Sequence, residues 1–145
     1  RAAARRGPGR FRDSRIVRLL LDTCTFLWLV TDASDLSTPA RVAFVDPDNT
    51  VFLSSISAWE IAIKHGMGRL PLPEPPDRLV PRLREAHGIA ALDLDEAAAL
   101  TEARLPRLHR DPFDRMLVAQ AKCERLALVS RDGHLRRYGI SLVEA

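Results

Sequence analysis

Short runs of apolar residues alternate along this chain with segments of helical periodicity. Each apolar run is continuous and is followed by polar residues, a pattern that predicts a buried strand. We expect five strands, of which the third is weak and the last is short, at residues 16–23, 50–55, 89–94, 126–130 and 140–144.

Helical segments lie between the predicted strands. Ser37, Thr38 and Pro39 form a helix start, with a hydroxyl cap and a proline in the first turn. We expect Ser57 to cap the helix after the second strand, and Pro81 to limit the first turn of the next helix. The predicted helical segments cover residues 23–32, 37–46, 57–66, 77–88, 95–105 and 112–125.

The order of these elements predicts an α/β fold with a mainly parallel central sheet and helices on both faces, because strands alternate with helices. The 145 residues suffice for one domain with its own hydrophobic core, so no disulfide or structural metal is needed. Cys24 and Cys123 lie in no CxxC or Cys/His pattern, and we expect both to be reduced thiols in the core.

The net charge of +3 hides an uneven distribution of charge. Residues 1–18 hold seven arginines and one acid, whereas the rest of the chain holds 15 basic and 18 acidic residues. We therefore divide the chain into a basic leader, residues 1–17, which we expect to be disordered, and a domain, residues 18–145.

Three interpretations of the leader remain open: a nucleic-acid-binding arm, an upstream extension, and the basic region of a signal peptide. The missing Met at position 1 favours the extension, and Asp22 within the next apolar run disfavours the signal peptide. No apolar segment approaches the roughly 20 residues of a membrane span, so we expect a soluble, cytoplasmic protein.

Four acidic residues stand where an apolar run ends or a helix begins. If the apolar runs form one parallel sheet, these carboxylates gather at the carboxyl ends of its strands, where open α/β sheets bind ligands. Two carboxylates about 4 Å apart repel by roughly 4 kcal/mol at an effective dielectric of about 20. A hard divalent cation would relieve this repulsion, and we expect Mg²⁺ or Mn²⁺ at Asp22, Glu60, Asp114 and Asp132.

Each acid also has a structural interpretation of its own. Asp22 is a possible N-cap, Glu60 stands at capping-box spacing after Ser57, and Asp114 lies in the first turn of its helix. Asp132 precedes a glycine and is typical of a turn. Caps accept Ser, Thr, Asn or Asp alike, whereas a metal site needs ionised oxygens, so four carboxylates together favour the metal.

The segment from about Arg18 to the end resembles the PIN-domain ribonucleases, and among them the VapC-type toxins of bacterial toxin-antitoxin pairs. The resemblance is carried by four motifs in the family's order, LLLDTCTFLW, SSISAWEIAIKHGMGRLPLP, HRDPFDRMLVAQA and LVSRD, which occupy residues 19–28, 54–73, 109–121 and 128–132.

The resemblance implies a three-layer α/β/α domain and a Mg²⁺- or Mn²⁺-dependent endoribonuclease. It also implies a homodimer that a cognate VapB-type antitoxin neutralises. The family's acidic quartet falls on Asp22, Glu60, Asp114 and Asp132, and its supporting hydroxyl residues on Thr23 and Ser130.

In the mechanism that follows, Asp22 and Asp114 bind a metal directly, Glu60 binds through water or orients the nucleophile, and Asp132 completes the site or serves a second ion. Cations near these acids in sequence are candidates for guiding RNA, although each is equally typical of a solvated or salt-bridging surface: Lys64, Arg110, Arg115 and Arg131. Trp28 and Trp59 lie in apolar helical patterns that favour core or dimer packing over base stacking.

Other functions remain open at this level. A noncatalytic RNA- or protein-binding module would share the fold, but the presence of all four acids disfavours it. A deoxyribonuclease would share the chemistry, and only the resemblance favours RNA. A haloacid-dehalogenase-type phosphotransferase is excluded, because no second acid stands two residues after Asp22.

Overall fold

The computed structural model describes residues 17–31 and 36–145. Its centre is a five-stranded sheet in the order β3-β2-β1-β4-β5, and all four neighbouring pairs are parallel. The predicted parallel sheet is confirmed. The strands are β1 (Arg18–Leu21), β2 (Thr50–Ser54), β3 (Ala90–Leu92), β4 (Ala127–Ser130) and β5 (Leu142–Glu144).

Six α-helices connect the strands within the described residues, and each predicted helical segment overlaps one of them. They are α1 (Thr23–Val30), α2 (Thr38–Val45), α3 (Ser55–Gly66), α4 (Pro76–Ala86), α5 (Glu96–Glu102) and α6 (Pro112–Glu124). A short 3₁₀ helix, Gly133–Tyr138, which the sequence pattern does not predict, joins β4 to β5.

The hydrophobic core lies on both faces of the sheet. Leu20 of β1 packs on one side with Leu117 of α6 and Leu128 of β4. Its neighbours Leu19 and Leu21 pack on the other side, in a separate cluster. Because β1 is central and covered on both faces, its residues are continuously apolar, as parallel sheets require. The architecture is therefore the expected three-layer α/β/α domain.

Two predicted helix boundaries are wrong. Helix α3 begins earlier than expected, because Ser54 rather than Ser57 is its N-cap: Ser54 Oγ accepts a hydrogen bond of 3.0 Å from the Ile56 N–H. Pro81 lies inside α4 rather than in its first turn, since that helix begins at Pro76.

Both cysteines are exposed, so their predicted place in the core is also wrong. The leader prediction for residues 1–17 falls, apart from Val17, outside the described residues. Val17 is already fixed to the domain, because its N–H donates to Asn49 Oδ1 at 3.1 Å and its carbonyl accepts from the Thr50 N–H. Among the helices of residues 17–31 and 36–145, none is long and apolar enough to cross a membrane.

Candidate active site

The topology brings the four predicted acids to the carboxyl edge of the sheet. Asp22 directly follows β1. Asp132 follows β4, the parallel strand that is hydrogen-bonded to β1. Glu60 lies on α3, which continues directly from β2 on the other side of β1. Asp114 lies in the first turn of α6, which packs against α3. This edge is where parallel sheets form ligand crevices.

Asp22 combines a structural and a potential ligand role. Its side chain is buried, with 8% of the residue exposed, and its Oδ1 accepts a hydrogen bond of 2.8 Å from the Thr25 N–H. Its own N–H donates to the Val129 carbonyl at 3.0 Å, which ties it to β4. The predicted N-cap is confirmed, and it holds the carboxylate in a fixed orientation.

Glu60 is buried, with 6% exposed, and makes no capping box, because Ser57 is not the N-cap of α3. Instead, Thr23 Oγ1 donates to Glu60 Oε1 at 2.6 Å, and Thr23 Oγ1 also lies 3.0 Å from Ser57 Oγ. Lys64, one turn along α3, binds the other carboxylate oxygen. Since burying a carboxylate is costly and no cap requires this one, its position favours a functional role.

Asp114 and Asp132 meet at a histidine that the sequence analysis did not single out. His109 Nε2 lies 3.0 Å from Asp114 Oδ2 and 3.3 Å from Asp132 Oδ2. The Arg110 N–H donates to His109 Nδ1 at 3.0 Å, and this hydrogen bond fixes the ring with Nε2 facing the two carboxylates. His109 lies in the loop before α6 and not on a helix face, so no periodic spacing relates it to either acid.

Two residues beside the acids form local hydrogen bonds. Ser130 Oγ accepts from the Asp132 N–H at 3.1 Å, and Asp132 Oδ1 accepts from the His134 N–H at 3.0 Å. Asp111 is the N-cap of α6 and accepts from the Phe113 N–H at 2.8 Å. These bonds fix the backbone on which Asp132 and Asp114 stand.

The charges of this site act on one another. The pKa of Asp114 is raised to about 6, mainly because the side chain is buried and also because Asp111, Asp22 and Glu60 repel its charged form. The neighbouring His109 lowers the pKa of Asp114. Burial and the charges of Asp22, Glu60 and Asp114 likewise raise the pKa of the Cys24 thiol, against the effect of Lys64. The carboxylates therefore share one electrostatic environment.

The four cations proposed to guide RNA have different surroundings. Arg115 is 5% exposed and forms an ion pair with Glu102, so its predicted contact with RNA is wrong. Lys64 binds Glu60 within the site, and the Arg131 guanidinium lies 4.3 Å from the centre of the Trp28 ring. Arg110 is exposed and lines a surface cleft next to the site.

The two tryptophans also differ from one another. Trp28 is half-buried under Arg131. Trp59 is 58% exposed, so of the two predicted alternatives the core is excluded for this residue and dimer packing stays a prediction. Its ring meets that of Phe113 edge to face, with 5.7 Å between the ring centres.

A comparison with known families identifies this arrangement. The sequence profile described as PIN domain matches residues 19–140, which include all four acids. The chain belongs to the PIN domain family. Over 65 aligned residues, this PIN domain is 40% identical to "Ribonuclease VapC16" of Mycobacterium tuberculosis. The match spans 45% of this chain and 46% of that relative, so it covers just under half the length of each.

Solved structures of toxin-antitoxin complexes have the same fold as this PIN domain. A chain of VapBC2 from Rickettsia felis, bound to a promoter DNA fragment, superposes with a TM-score of 0.68 at 16% identity, over 88% of this chain and 98% of that one. A chain of DNA-bound VapBC from Salmonella typhimurium superposes with a TM-score of 0.64 at 19% identity, over 89% of this chain and 98% of that one.

The acids of this PIN domain fit a hard divalent ion in their donor chemistry, because ionised oxygens are the ligands that Mg²⁺ and Mn²⁺ prefer. The raised pKa of Asp114 indicates a repulsion that such an ion would relieve. In residues 17–31 and 36–145, however, no three His, Cys, Asp or Glu side chains converge on one ligand position. Lys64 and His109 contact the acids in this arrangement.

The raised pKa predicts how metal-free protein responds to pH. Folding raises the pKa of Asp114 from 3.8 to about 6, so the folded state binds the proton more tightly and loses stability as pH rises through this interval. The loss of folding free energy above this interval is roughly 3 kcal/mol. Asp114→Asn removes the charge, and we expect it to raise the Tm of metal-free protein at about pH 8 and about half as much at about pH 5.

Thermal unfolding in EDTA at both pH values measures this effect. Adding Mg²⁺ at the higher pH should raise the Tm of the wild type more than that of the variant, because the ion binds the folded carboxylates. A Tm difference between variant and wild type that is equal at both pH values would contradict the assignment of the pH dependence to Asp114.

Proposed function

We propose that this PIN domain is a Mg²⁺- or Mn²⁺-dependent endoribonuclease and the toxin of a toxin-antitoxin pair. The observation that carries the proposal is the buried Glu60 carboxylate beside Asp22 and Asp114, with no capping role to account for it. The similarity to a relative named as a ribonuclease supports RNA as the substrate. We place this activity in the cytoplasm.

Four carboxylates take part in the proposed mechanism. Asp22 and Asp114 are the proposed direct ligands, and Asp132 completes the set or serves a second ion. A divalent ion held by these residues would supply Lewis-acid chemistry, that is, stabilisation of the charge at the phosphate and a lower pKa for a bound water.

Glu60 is better suited to orienting the attacking water than to binding metal directly. One of its oxygens is fixed by Thr23 and the other by Lys64. A carboxylate held at both ends keeps a constant orientation, which is what in-line attack on phosphorus requires of a group that positions the nucleophile. Thr23 therefore acts by positioning Glu60.

The proposed protein partners are a VapB-type antitoxin and a second copy of this chain. Similar folds occur in VapBC complexes from several bacteria, which supports the antitoxin. The exposed Trp59, with Met67 just beyond the end of α3, supplies apolar surface that a dimer would cover.

Incubation of purified protein with a mixed RNA pool tests the proposal. We expect cleavage with Mg²⁺ or Mn²⁺ and none with EDTA, and fragments with 5′-phosphate and 3′-hydroxyl ends. Single-stranded DNA of matched composition should remain intact. Cleavage of the DNA instead would make the protein a deoxyribonuclease, and no cleavage by folded, antitoxin-free protein would favour a noncatalytic binding module.

A further inference from the structure

Two open clefts lie on either side of His109, next to the acids. The first cleft has a volume of about 420 Å³ and is lined by Glu102, Arg107, His109, Arg110, Pro112 and Arg115. The second cleft has a volume of about 330 Å³, and its polar lining consists of His109, Asp132, His134, Arg137 and Tyr138. His109 forms part of both walls.

Exposed arginines supply the positive charge of both clefts. In the first cleft, Glu102 is already neutralised by Arg115, which leaves Arg107 and Arg110. In the second cleft, Arg137 is exposed, and the lining also contains the carboxylate of Asp132, one of the proposed metal ligands. Within the described part of the chain, none of the guanidinium groups of Arg107, Arg110 and Arg137 forms an ion pair with a carboxylate, whereas neighbouring Arg136 pairs with Glu144. The first cleft is therefore suited to an anion, and Arg137 offers the second cleft a group that can bind a phosphate beside the acid.

The contacts of His109, which lines both clefts, relate the acids to the clefts. His109 Nε2 contacts Asp114 and Asp132, and Asp132 itself lines the second cleft. Pro112, two residues before Asp114, lines the first cleft. A chain of phosphates that passes over His109 would therefore meet the guanidinium groups of the first cleft, then the carboxylates of Asp114 and Asp132, and then the Arg137 guanidinium group.

We propose that the two clefts bind the phosphate backbone of single-stranded RNA on both sides of the bond that is cut. Arg107 and Arg110 hold the phosphates on one side, and Arg137 holds those on the other. This inference rests on the proposed ribonuclease function and adds the path of the substrate. Guanidinium groups suit it because their planar N–H donors match phosphate oxygens.

A single strand fits this path better than a duplex. Asp22 and Glu60 are buried, whereas Arg107 and Arg137 are exposed. A phosphate must therefore descend between the clefts to reach the carboxylates, and an unpaired strand can bend in this way because its bases are free to unstack.

The test compares single substitutions Arg107→Ala and Arg137→Ala, and the double variant, with Arg78→Ala. Arg78 is an exposed residue of α4 outside both clefts, so its substitution removes the same charge elsewhere. Binding of a short fluorescent single-stranded RNA is measured in an Asp114→Asn background over a range of salt concentrations. Cleavage kinetics are measured with Asp114 intact, and circular dichroism checks the fold.

The expected result is weaker binding for each cleft variant, roughly tenfold for the double variant. The slope of log K against log salt concentration should become shallower by about 0.7 for each phosphate that the variant no longer neutralises. The cleavage KM should rise while kcat changes little, because these groups bind substrate away from the reacting phosphate. Arg78→Ala should match the unsubstituted protein.

If the wild-type protein cleaves RNA, and the cleft variants bind and cleave RNA as Arg78→Ala does, the inference about the clefts is wrong while the proposed function stands. A wild type that cleaves no RNA would instead remove the proposed function. Poly-glutamate serves as the probe for an acidic protein segment. If the cleft variants weaken binding of poly-glutamate but not of RNA, the clefts bind a protein partner and the proposed RNA path is wrong.

Discussion

Replacing Asp114 by asparagine is expected to lower the rate of RNA cleavage by about a thousandfold while preserving the fold, which corresponds to a loss of about 4 kcal/mol of transition-state stabilisation. Asparagine has nearly the same shape, but its neutral amide oxygen is a poorer ligand for a divalent ion. The carboxylate also stands where Asp22, Glu60 and Asp111 all act on its charge, so it is central to the electrostatics of the site.

Asp111→Asn is the matched control for this variant. Asp111 lies three residues earlier and caps α6, and asparagine caps a helix as well as aspartate does. The control therefore removes one negative charge close to Asp114 without removing the cap or a proposed ligand. Single-turnover cleavage with saturating Mg²⁺ compares the three proteins. If Asp114→Asn cleaves as fast as wild type, Asp114 has no part in the mechanism.

Arg115→Ala is expected to destabilise the domain by about 3–5 kcal/mol, because it leaves a buried network without its cation. The Arg115 side chain forms an ion pair of 2.7 Å with Glu102 Oε2. Its guanidinium also donates to the Tyr138 hydroxyl and to three backbone carbonyls at the end of α5 and just after it, those of Glu102, Leu105 and Pro106.

Urea unfolding followed by circular dichroism measures this loss, with Arg110→Ala as the control for removal of a neighbouring exposed charge. Arg115→Lys should rescue little of the stability, since an ammonium group cannot reproduce the planar set of donors. If Arg115→Ala is destabilised no more than Arg110→Ala, the network makes no net contribution to the free energy of unfolding.

The sequence predicts the sheet well because its signals are local. A continuous apolar run such as that of β1 reflects burial on both faces, and acids that follow such runs necessarily reach the carboxyl edge of a parallel sheet. The positions of Asp22 and Asp132 follow from this rule alone. Their roles in metal binding stay predictions.

The missed features depend on contacts between distant segments. Ser57 has the residue type of an N-cap and stands at capping-box spacing from Glu60. However, it lies inside α3 and its hydroxyl faces Thr23 of α1. His109 acquires its importance only when β4 and the start of α6 come together. Arg115 stands beside Asp114 in sequence, yet it points into the network around Glu102. Helical neighbours face different directions, which proximity along the chain does not reveal.

The network around Arg115 has a consequence for how this domain can change over time. Besides Glu102 and Tyr138, its partners are main-chain carbonyls, which every amino acid possesses. Hydrogen bonds from Arg115 to main-chain carbonyls thus hold the segment between α5 and α6 in place. Side chains in this segment can be substituted without loss of these bonds. Arg107 belongs to this segment. With Arg107 in the proposed substrate path, substrate preference can therefore diverge between descendants of this protein while the path of the loop and the proposed catalytic carboxylates stay the same.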